Sequence, residues 1–314
     1  MTTAFIFPGQ GSQAVGMGKA LADAFPAAAR VLAEVDDALG QPLSRLMFEG
    51  PEADLTLTAN AQPALMAVSL AAMRVLEAEA GLDLRTGAAF VAGHSLGEYS
   101  ALAAAGSLGI AEAARLLRIR GDAMQAAVPV GRGAMAALIG VEPDAAAAIA
   151  ADAAGDEVCD VANDNGGGQV VLSGSAAAID RALALAKDRG VKRAVLLSVS
   201  APFHCALMRP AADAMAEALD AAEIVDPSVP VVANVLARPV DTAGEIVGCL
   251  VGQVCGTVRW RESVGWMAGA GVTRFVEVGA GKVLAGLTKR IAPAAATATV
   301  GTPDDVARFA AAVA

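Results

Sequence analysis

The stretch that most constrains this chain is Gly93-His94-Ser95-Leu96-Gly97-Glu98-Tyr99. It follows the apolar run Ala88-Ala89-Phe90-Val91-Ala92, which reads as a buried strand. It precedes Ala101-Leu102-Ala103-Ala104-Ala105, which reads as a helix of small residues. A strand that turns at once into a helix through G-x-S-x-G is a nucleophile elbow. The turn is too tight for side chains on both flanks, so glycine is wanted at 93 and 97. It pushes the Ser95 hydroxyl away from the backbone. The helix behind it aims free amides and a partial positive charge at the place where an oxyanion forms. The alternative is a chance match in a glycine-rich chain, and the flanking strand and helix argue against it.

A chain of 314 residues can bury a large core and hold more than one domain. Alanine supplies much of its 55% hydrophobic content, which favours helix. No apolar run is long and clean enough to span a bilayer, and the start Met1-Thr2-Thr3-Ala4 has no basic region of a signal peptide. No membrane association is expected. Four cysteines without a C-x-x-C pair, and only two histidines, argue against a metal site and fit reduced thiols in the cytoplasm. The net charge of −10 argues against general nucleic-acid binding.

Upstream of the elbow, Thr3-Ala4-Phe5-Ile6-Phe7 reads as a buried strand ending in Pro8-Gly9-Gln10-Gly11-Ser12-Gln13. Gly9, Gly11 and Ala14 match a dinucleotide fingerprint, but the required second strand and acidic residue do not follow. Residues 17–80 read as helical instead. Within them Pro63 suits the first turn of a helix running to about Ala80, which makes Gln62 a surface residue at a helix start. Downstream, 111–127 reads as a helix carrying Arg115, Arg118 and Arg120. Arg120 falls on its apolar side, with Ala113, Leu116, Leu117 and Met124. Such an arginine is a structural ion pair, a snorkelling side chain, or a group that waits for an anionic substrate.

Residues 133–199 read as strand, helix, strand, strand, helix, strand, with Asn163-Asp164-Asn165-Gly166-Gly167-Gly168 as the central turn. That order is the ferredoxin-like pattern. The expected fold is a large α/β domain with a parallel sheet, 1–128 and 200–314, and a small βαββαβ domain inserted at 129–199. Strands are also expected at 230–234 and 273–277. Gly279-Ala280-Gly281 opens a further helix beside Lys282.

A serine nucleophile needs a neighbour to take its proton. His94 lies at the strand end and should point away from Ser95. His204, in a loop where the chain re-enters the large domain, is the better base. A third, orienting group is not visible as a motif; Asp122 and Asp164 sit in no telling context. An α/β-hydrolase would place an acid between Ser and His and several strands before the elbow, and only one is read here.

Phe7-Pro8-Gly9-Gln10-Gly11-Ser12-Gln13, the segment from Gly93 to Ser100, Arg118-Ile119-Arg120-Gly121, Phe203-His204-Cys205-Ala206-Leu207-Met208 and Glu277-Val278-Gly279-Ala280-Gly281-Lys282 together resemble malonyl-CoA:acyl carrier protein transacylases. The resemblance spans nearly the whole chain. It implies Ser95 as nucleophile, His204 as base, and the backbone amides of Gln10 and Leu96 as oxyanion hole. Arg120 would hold the malonyl carboxylate, and the main-chain carbonyl of Gln253 would orient the histidine. Gln62, Asn163 and Phe203 would line the substrate. Leu96 and Phe203 resemble malonyl-selecting choices, and Ala280 stands where the family often has proline. The implied partners are malonyl-CoA and acyl carrier protein, with no metal or redox cofactor, and a monomer is expected. A trans-acting polyketide acyltransferase, a serine hydrolase or thioesterase, and a silent docking subunit are the other readings. The carrier is acidic, like this chain, so a local basic patch must receive it. Lys187, Arg189, Lys192 and Arg193 on the insert, which is favoured, and Lys282, Lys289 and Arg290 are the two candidates.

Overall fold

A computed structural model describes residues 1–313. The chain opens with strand β1 (Thr3–Phe7). A long helical excursion follows: α1 (Lys19–Ala24), α2 (Pro26–Leu39), α3 (Leu43–Glu49), α4 (Glu52–Thr56), α5 (Thr58–Ala80) and α6 (Leu84–Gly87). Strand β2 (Phe90–Gly93) then runs into α7 (Gly97–Ala104) and α8 (Ile110–Ala127). The next segment holds β3 (Gly133–Ile139), α9 (Pro143–Ala154), β4 (Cys159–Gly166), β5 (Gln169–Ser175), α10 (Ala176–Asp188) and β6 (Arg193–Leu196). After a 3-10 turn (Ala206–Met208) come α11 (Arg209–Asp220), β7 (Val231–Val232), β8 (Pro239–Val240), α12 (Ala243–Cys255) and α13 (Trp260–Gly269). Strand β9 (Arg274–Val278), α14 (Val283–Ile291), β10 (Ala296–Val300) and α15 (Pro303–Val313) complete the order.

Two sheets result. The first has six strands in the order β10-β9-β1-β2-β7-β8, parallel except for the β7–β8 pair. The second has four antiparallel strands in the order β4-β5-β3-β6, the ferredoxin-like arrangement, with its own apolar cluster under α9 and α10. Parallel strands present their carboxyl ends together, and ligands bind at that edge. Phe7 pairs with Gly93, so the loop after β1 and the elbow after β2 leave the sheet side by side.

The elbow glycines are set by close approach. A Cβ on Gly93 would lie 1.8 Å from the Gly97 carbonyl oxygen, and one on Gly97 would lie 2.3 Å from that of Phe7. Helix α7 therefore starts at Gly97, four residues earlier than its small-residue run suggests. Ser95 itself takes a left-handed φ of 55°, the strained point of the turn.

Helix α5 is buried along most of its length and packs against α2, α7, α8 and α15. It begins at Thr58, so Pro63 lies inside it rather than in its first turn. Gln62 is consequently not a surface residue at a helix start; it is buried. The cause is at Gly121 of α8, where a Cβ would come within 2.6 Å of the Ala59 Cα. The two helices meet almost backbone to backbone there, which brings Gln62 against Arg120.

Two further expectations are corrected. Asn163, Asp164 and Asn165 belong to β4, with register irregularities, and only Gly167 and Gly168 turn. Their polar groups look like turn formers in sequence but are used across the cleft. Strand β6 ends at Leu196, and Leu197 to Val199 leave the sheet to line a cavity. Strand β10 and helices α12, α13 and α15 had not been expected at all.

The contacts at Gly97 yield a stability prediction. In Gly97→Ala only backbone could move, so the variant should lose about 3 kcal/mol or more. Gly248→Ala is the control: Gly248 is exposed in α12 with nothing near its Cβ position, and alanine there should gain up to ~1 kcal/mol. Urea unfolding of both variants measures the contrast.

Candidate active site

The strained elbow presents the Ser95 hydroxyl to His204. Ser95 Oγ lies 2.7 Å from His204 Nε2, and His204 Nδ1 lies 2.8 Å from the main-chain oxygen of Gln253. A carbonyl only accepts, so Nδ1 carries the proton and Nε2 is free to accept from the serine. No carboxylate takes the orienting place: Asp122 is exposed, and Asp164 accepts from Arg261 at 2.7 Å. His204, like Ser95, is held at a left-handed φ, here 59°. Burial, helped by the positive charge of Arg120, pushes its pKa down to about 3. The imidazole is therefore neutral and ready to accept a proton at neutral pH.

Arg120 is buried to 1% exposure. Its guanidinium donates to Gln62 Oε1 at 2.6 Å, Gln253 Oε1 at 2.8 Å and Ser95 Oγ at 3.2 Å, and it lies 5.8 Å from the Tyr99 ring centre. Every hydrogen-bonding partner is neutral. Its Nε–H has none among the described residues. Burial lowers its pKa, and the guanidinium still stays charged, since its ordinary value is far above neutrality.

Around these groups runs a continuous polar network. Thr58 donates to the Gln10 side chain at 3.0 Å and accepts from Gln62 at 2.9 Å. Asn234 accepts from the Ser95 amide at 2.7 Å and donates to the Gly93 carbonyl at 2.7 Å, bracing both arms of the elbow. The Gln253 side chain donates to the Ser95 carbonyl at 3.0 Å and to Glu98 at 2.8 Å. Burial raises the Glu98 carboxyl to about 7. The Gln10 and Leu96 amides donate to no protein group among the described residues.

A cavity of about 410 Å3 opens over Ser95 between the two sheets. Gln10, Gln62, Leu96, Arg120, Asn163, Phe203 and His204 all line it. Its apolar wall comes from Met124, Met135, Val171, Leu197, Val199, Leu284 and Leu287. His94 also borders the cavity, but it makes no hydrogen bond to Ser95: its Nε2 meets Asn165 Oδ1 at 2.9 Å and its ring rests on Trp260. Thus the structure brings together all nine residues singled out from sequence, Gln253 through its carbonyl and its amide alike. Glu98, Asn234, Thr58 and Asn165 had been given no role. Only Glu98 carried a signal, as a charge set among small helix residues. Among the described residues no group of three or more His, Cys, Asp or Glu side chains is placed to hold a metal.

The depressed His204 pKa makes a pH prediction. A group held low stays neutral until pH falls to its folded value, so the base function survives well below the ordinary 6.5. The rate of Ser95 labelling by a fluorophosphonate should hold constant through that range. In Arg120→Ala one depressing charge is gone, and the acid limb should move up towards 6.5. Labelling that falls with a midpoint near 6.5 in the unmodified chain would contradict this.

Known proteins resemble this chain along nearly its whole length. The family model described as "Acyl transferase domain" matches residues 4–302. The malonyl CoA-acyl carrier protein transacylase of Bacillus subtilis strain 168 is 45% identical over 305 residues, 96% of this chain and 94% of its own. Among solved structures, the acyl-carrier-protein-S-malonyltransferase of Bartonella henselae is 54% identical, with a TM-score of 0.97 over 100% of this chain and 99% of its own. A malonyl-transacylase solved in complex with its type II PKS acyl-carrier protein is 41% identical, with a TM-score of 0.96 over 99% of this chain and 100% of its own. The chain belongs to the malonyl-CoA:acyl carrier protein transacylases of the acyl transferase family.

Proposed function

We propose that this chain moves a malonyl group from malonyl-CoA to the phosphopantetheine thiol of an acyl carrier protein through an ester on Ser95. The observation that carries the reading is the triangle of Ser95, His204 and Arg120: a nucleophile, a neutral base and a buried cation with no carboxylate bonded to it. Ser95 Oγ attacks the thioester carbonyl while its proton passes to His204 Nε2. The Gln10 and Leu96 amides receive the oxyanion. The carbon–sulfur bond breaks, and the CoA sulfur leaves with the proton from His204. The carrier thiol then gives its proton to His204, attacks the ester, and Ser95 leaves with that proton. Both steps conserve oxidation state, and the chain supplies every group they use. The Gln253 carbonyl orients His204; Gln62, Asn163 and Phe203 shape the acyl pocket.

Arg120 takes the free malonyl carboxylate. Its unmatched Nε–H and its neutral partners suit a guanidinium that completes its bonding with substrate. A simple hydrolase has no use for such a group. We take the chain as a large domain of 1–128 and 200–314 with an insert at 129–199. It works as a monomer, since the site is complete within one chain. It works in the cytoplasm, which suits its free cysteines.

The carrier docks at the cavity mouth. Helix α14 lines the cavity through Val283, Leu284 and Leu287, and it carries Lys289 and Arg290, with Lys282 at its cap. Arg290 also covers Gly167 at the tip of the insert hairpin. On the insert, by contrast, Arg189 is already paired with Asp152 and the Lys192 stem lies on Gly140. The α14 cluster is therefore the better receptor for an acidic partner, in place of the insert cluster favoured from sequence.

Variants at the site and at the docking cluster test the reading. Incubation with malonyl-CoA should add one malonyl group by intact mass, and Ser95→Ala should abolish it. In Arg120→Ala, malonylation should fall on the order of 10²-fold, from the loss of charged hydrogen bonds worth about 1.5–3 kcal/mol each, while acetylation falls far less. Equal loss for both acyl groups would make Arg120 structural. Separately, Lys282→Glu with Lys289→Glu should raise the KM for carrier protein at low salt and leave self-malonylation nearly unchanged. Offering carriers of fatty-acid and polyketide synthesis side by side identifies the pathway.

A further inference from the structure

Glu98 is a carboxylate in a helix of small residues, 2% exposed, and no step above uses it. One of its oxygens, Oε2, accepts from Gln253 Nε2 at 2.8 Å and from the Asn234 main-chain N–H at 3.1 Å. The Gln253 amide has two unlike ends. Its Nε2 faces Glu98 and the Ser95 carbonyl, and its Oε1 faces the Arg120 guanidinium at 2.8 Å. Turned end for end, it would set NH2 against guanidinium, donor against donor, and oxygen against carboxylate. The Ser95 carbonyl asks for the same orientation, but its contact is longer. Glu98 supplies the shorter one, and it is charge-assisted when the carboxyl is ionised.

We propose that Glu98 is a positioning residue for acyl-group selection: by fixing the Gln253 amide, it holds Arg120 in place for the substrate carboxylate. Glu98 makes no direct hydrogen bond to Arg120. A carboxylate bonded there would compete with that of the substrate. The intervening neutral amide transmits position while leaving the guanidinium free to take a ligand anion. The inference rests on the reading of Arg120 as the carboxylate clamp.

Glu98→Gln, Glu98→Asp and Glu98→Ala separate this role from mere support of the fold. Glutamine keeps an oxygen where Oε2 stands, so it can serve both donors. Aspartate withdraws the oxygen by one methylene, and alanine removes it. Self-acylation rates with malonyl-CoA and acetyl-CoA are measured for each, normalised to the fraction of Ser95 that a fluorophosphonate labels. The ratio of malonyl to acetyl rate should fall about tenfold or more in the Asp and Ala variants, the effect of misplacing one charged hydrogen bond. It should return close to that of the unmodified chain in Glu98→Gln. If alanine prevents folding, aspartate carries the test. A purely structural Glu98 would lower both rates together, so an unchanged ratio in the folded variants overturns the proposal. A glutamine variant that loses as much as the aspartate variant also overturns it. Arg120→Ala run alongside tells the two readings apart. If it keeps the ratio, the clamp reading falls and this inference with it; if it loses the ratio while the Glu98 variants keep it, only this inference falls.

Discussion

A positive guanidinium buried beside the nucleophile is the constraint from which most of this site follows. An unpaired charge in a protein interior is costly, and Arg120 is not given a carboxylate to pair with. Its hydrogen bonds go to two glutamine side-chain oxygens and a serine hydroxyl, with a tyrosine ring nearby. Each of those partners must be held in turn. Gln62 is held by Thr58, and Gln253 by the Ser95 carbonyl and Glu98. The polar network is thus a chain of supports for one cation, and the same cation helps keep His204 neutral.

The backbone geometry serves this arrangement at two contacts. At the Gly93–Gly97 turn, helix and strand touch through main-chain atoms, so the serine is raised on a rigid pivot. At Gly121, helices α8 and α5 also meet through main-chain atoms, and Arg120 and Gln62 face each other at 2.6 Å. Both contacts need the absence of a side chain. The four-stranded sheet closes the opposite wall: Asn165 reaches His94 behind the serine, and the tip of the β4–β5 hairpin lies under Arg290. The cavity is therefore bounded by elements distant in sequence and fixed by main-chain packing.

Much of this was legible in the sequence because it was local. The elbow is contiguous, the ferredoxin-like order is a run of short elements, and with only two histidines the choice of base was narrow. What stayed hidden depends on contacts between distant segments. Gln62 read as a surface residue because nothing near it in sequence shows that α8 covers it. Asn163, Asp164 and Asn165 read as a turn because amides and carboxylates usually mark turns. Here they extend a strand and meet His94, Arg261 and the main chain at Val258. No acid could be picked out for His204, because the atom that meets its Nδ1 is the main-chain oxygen of Gln253, and a main-chain oxygen leaves no mark on a sequence. Glu98 stood inside the quoted motif, yet its partners Asn234 and Gln253 lie 136 and 155 residues away.

Residue 253 carries two duties through two different parts of itself. Its main-chain oxygen meets the histidine, and its side chain meets the arginine. Substitution exchanges side chains and leaves every carbonyl in place. A deep mutational scan of this gene would therefore score position 253 by what happens to the arginine. The histidine contact, held by an atom common to all twenty amino acids, would pass through such a scan unrecorded.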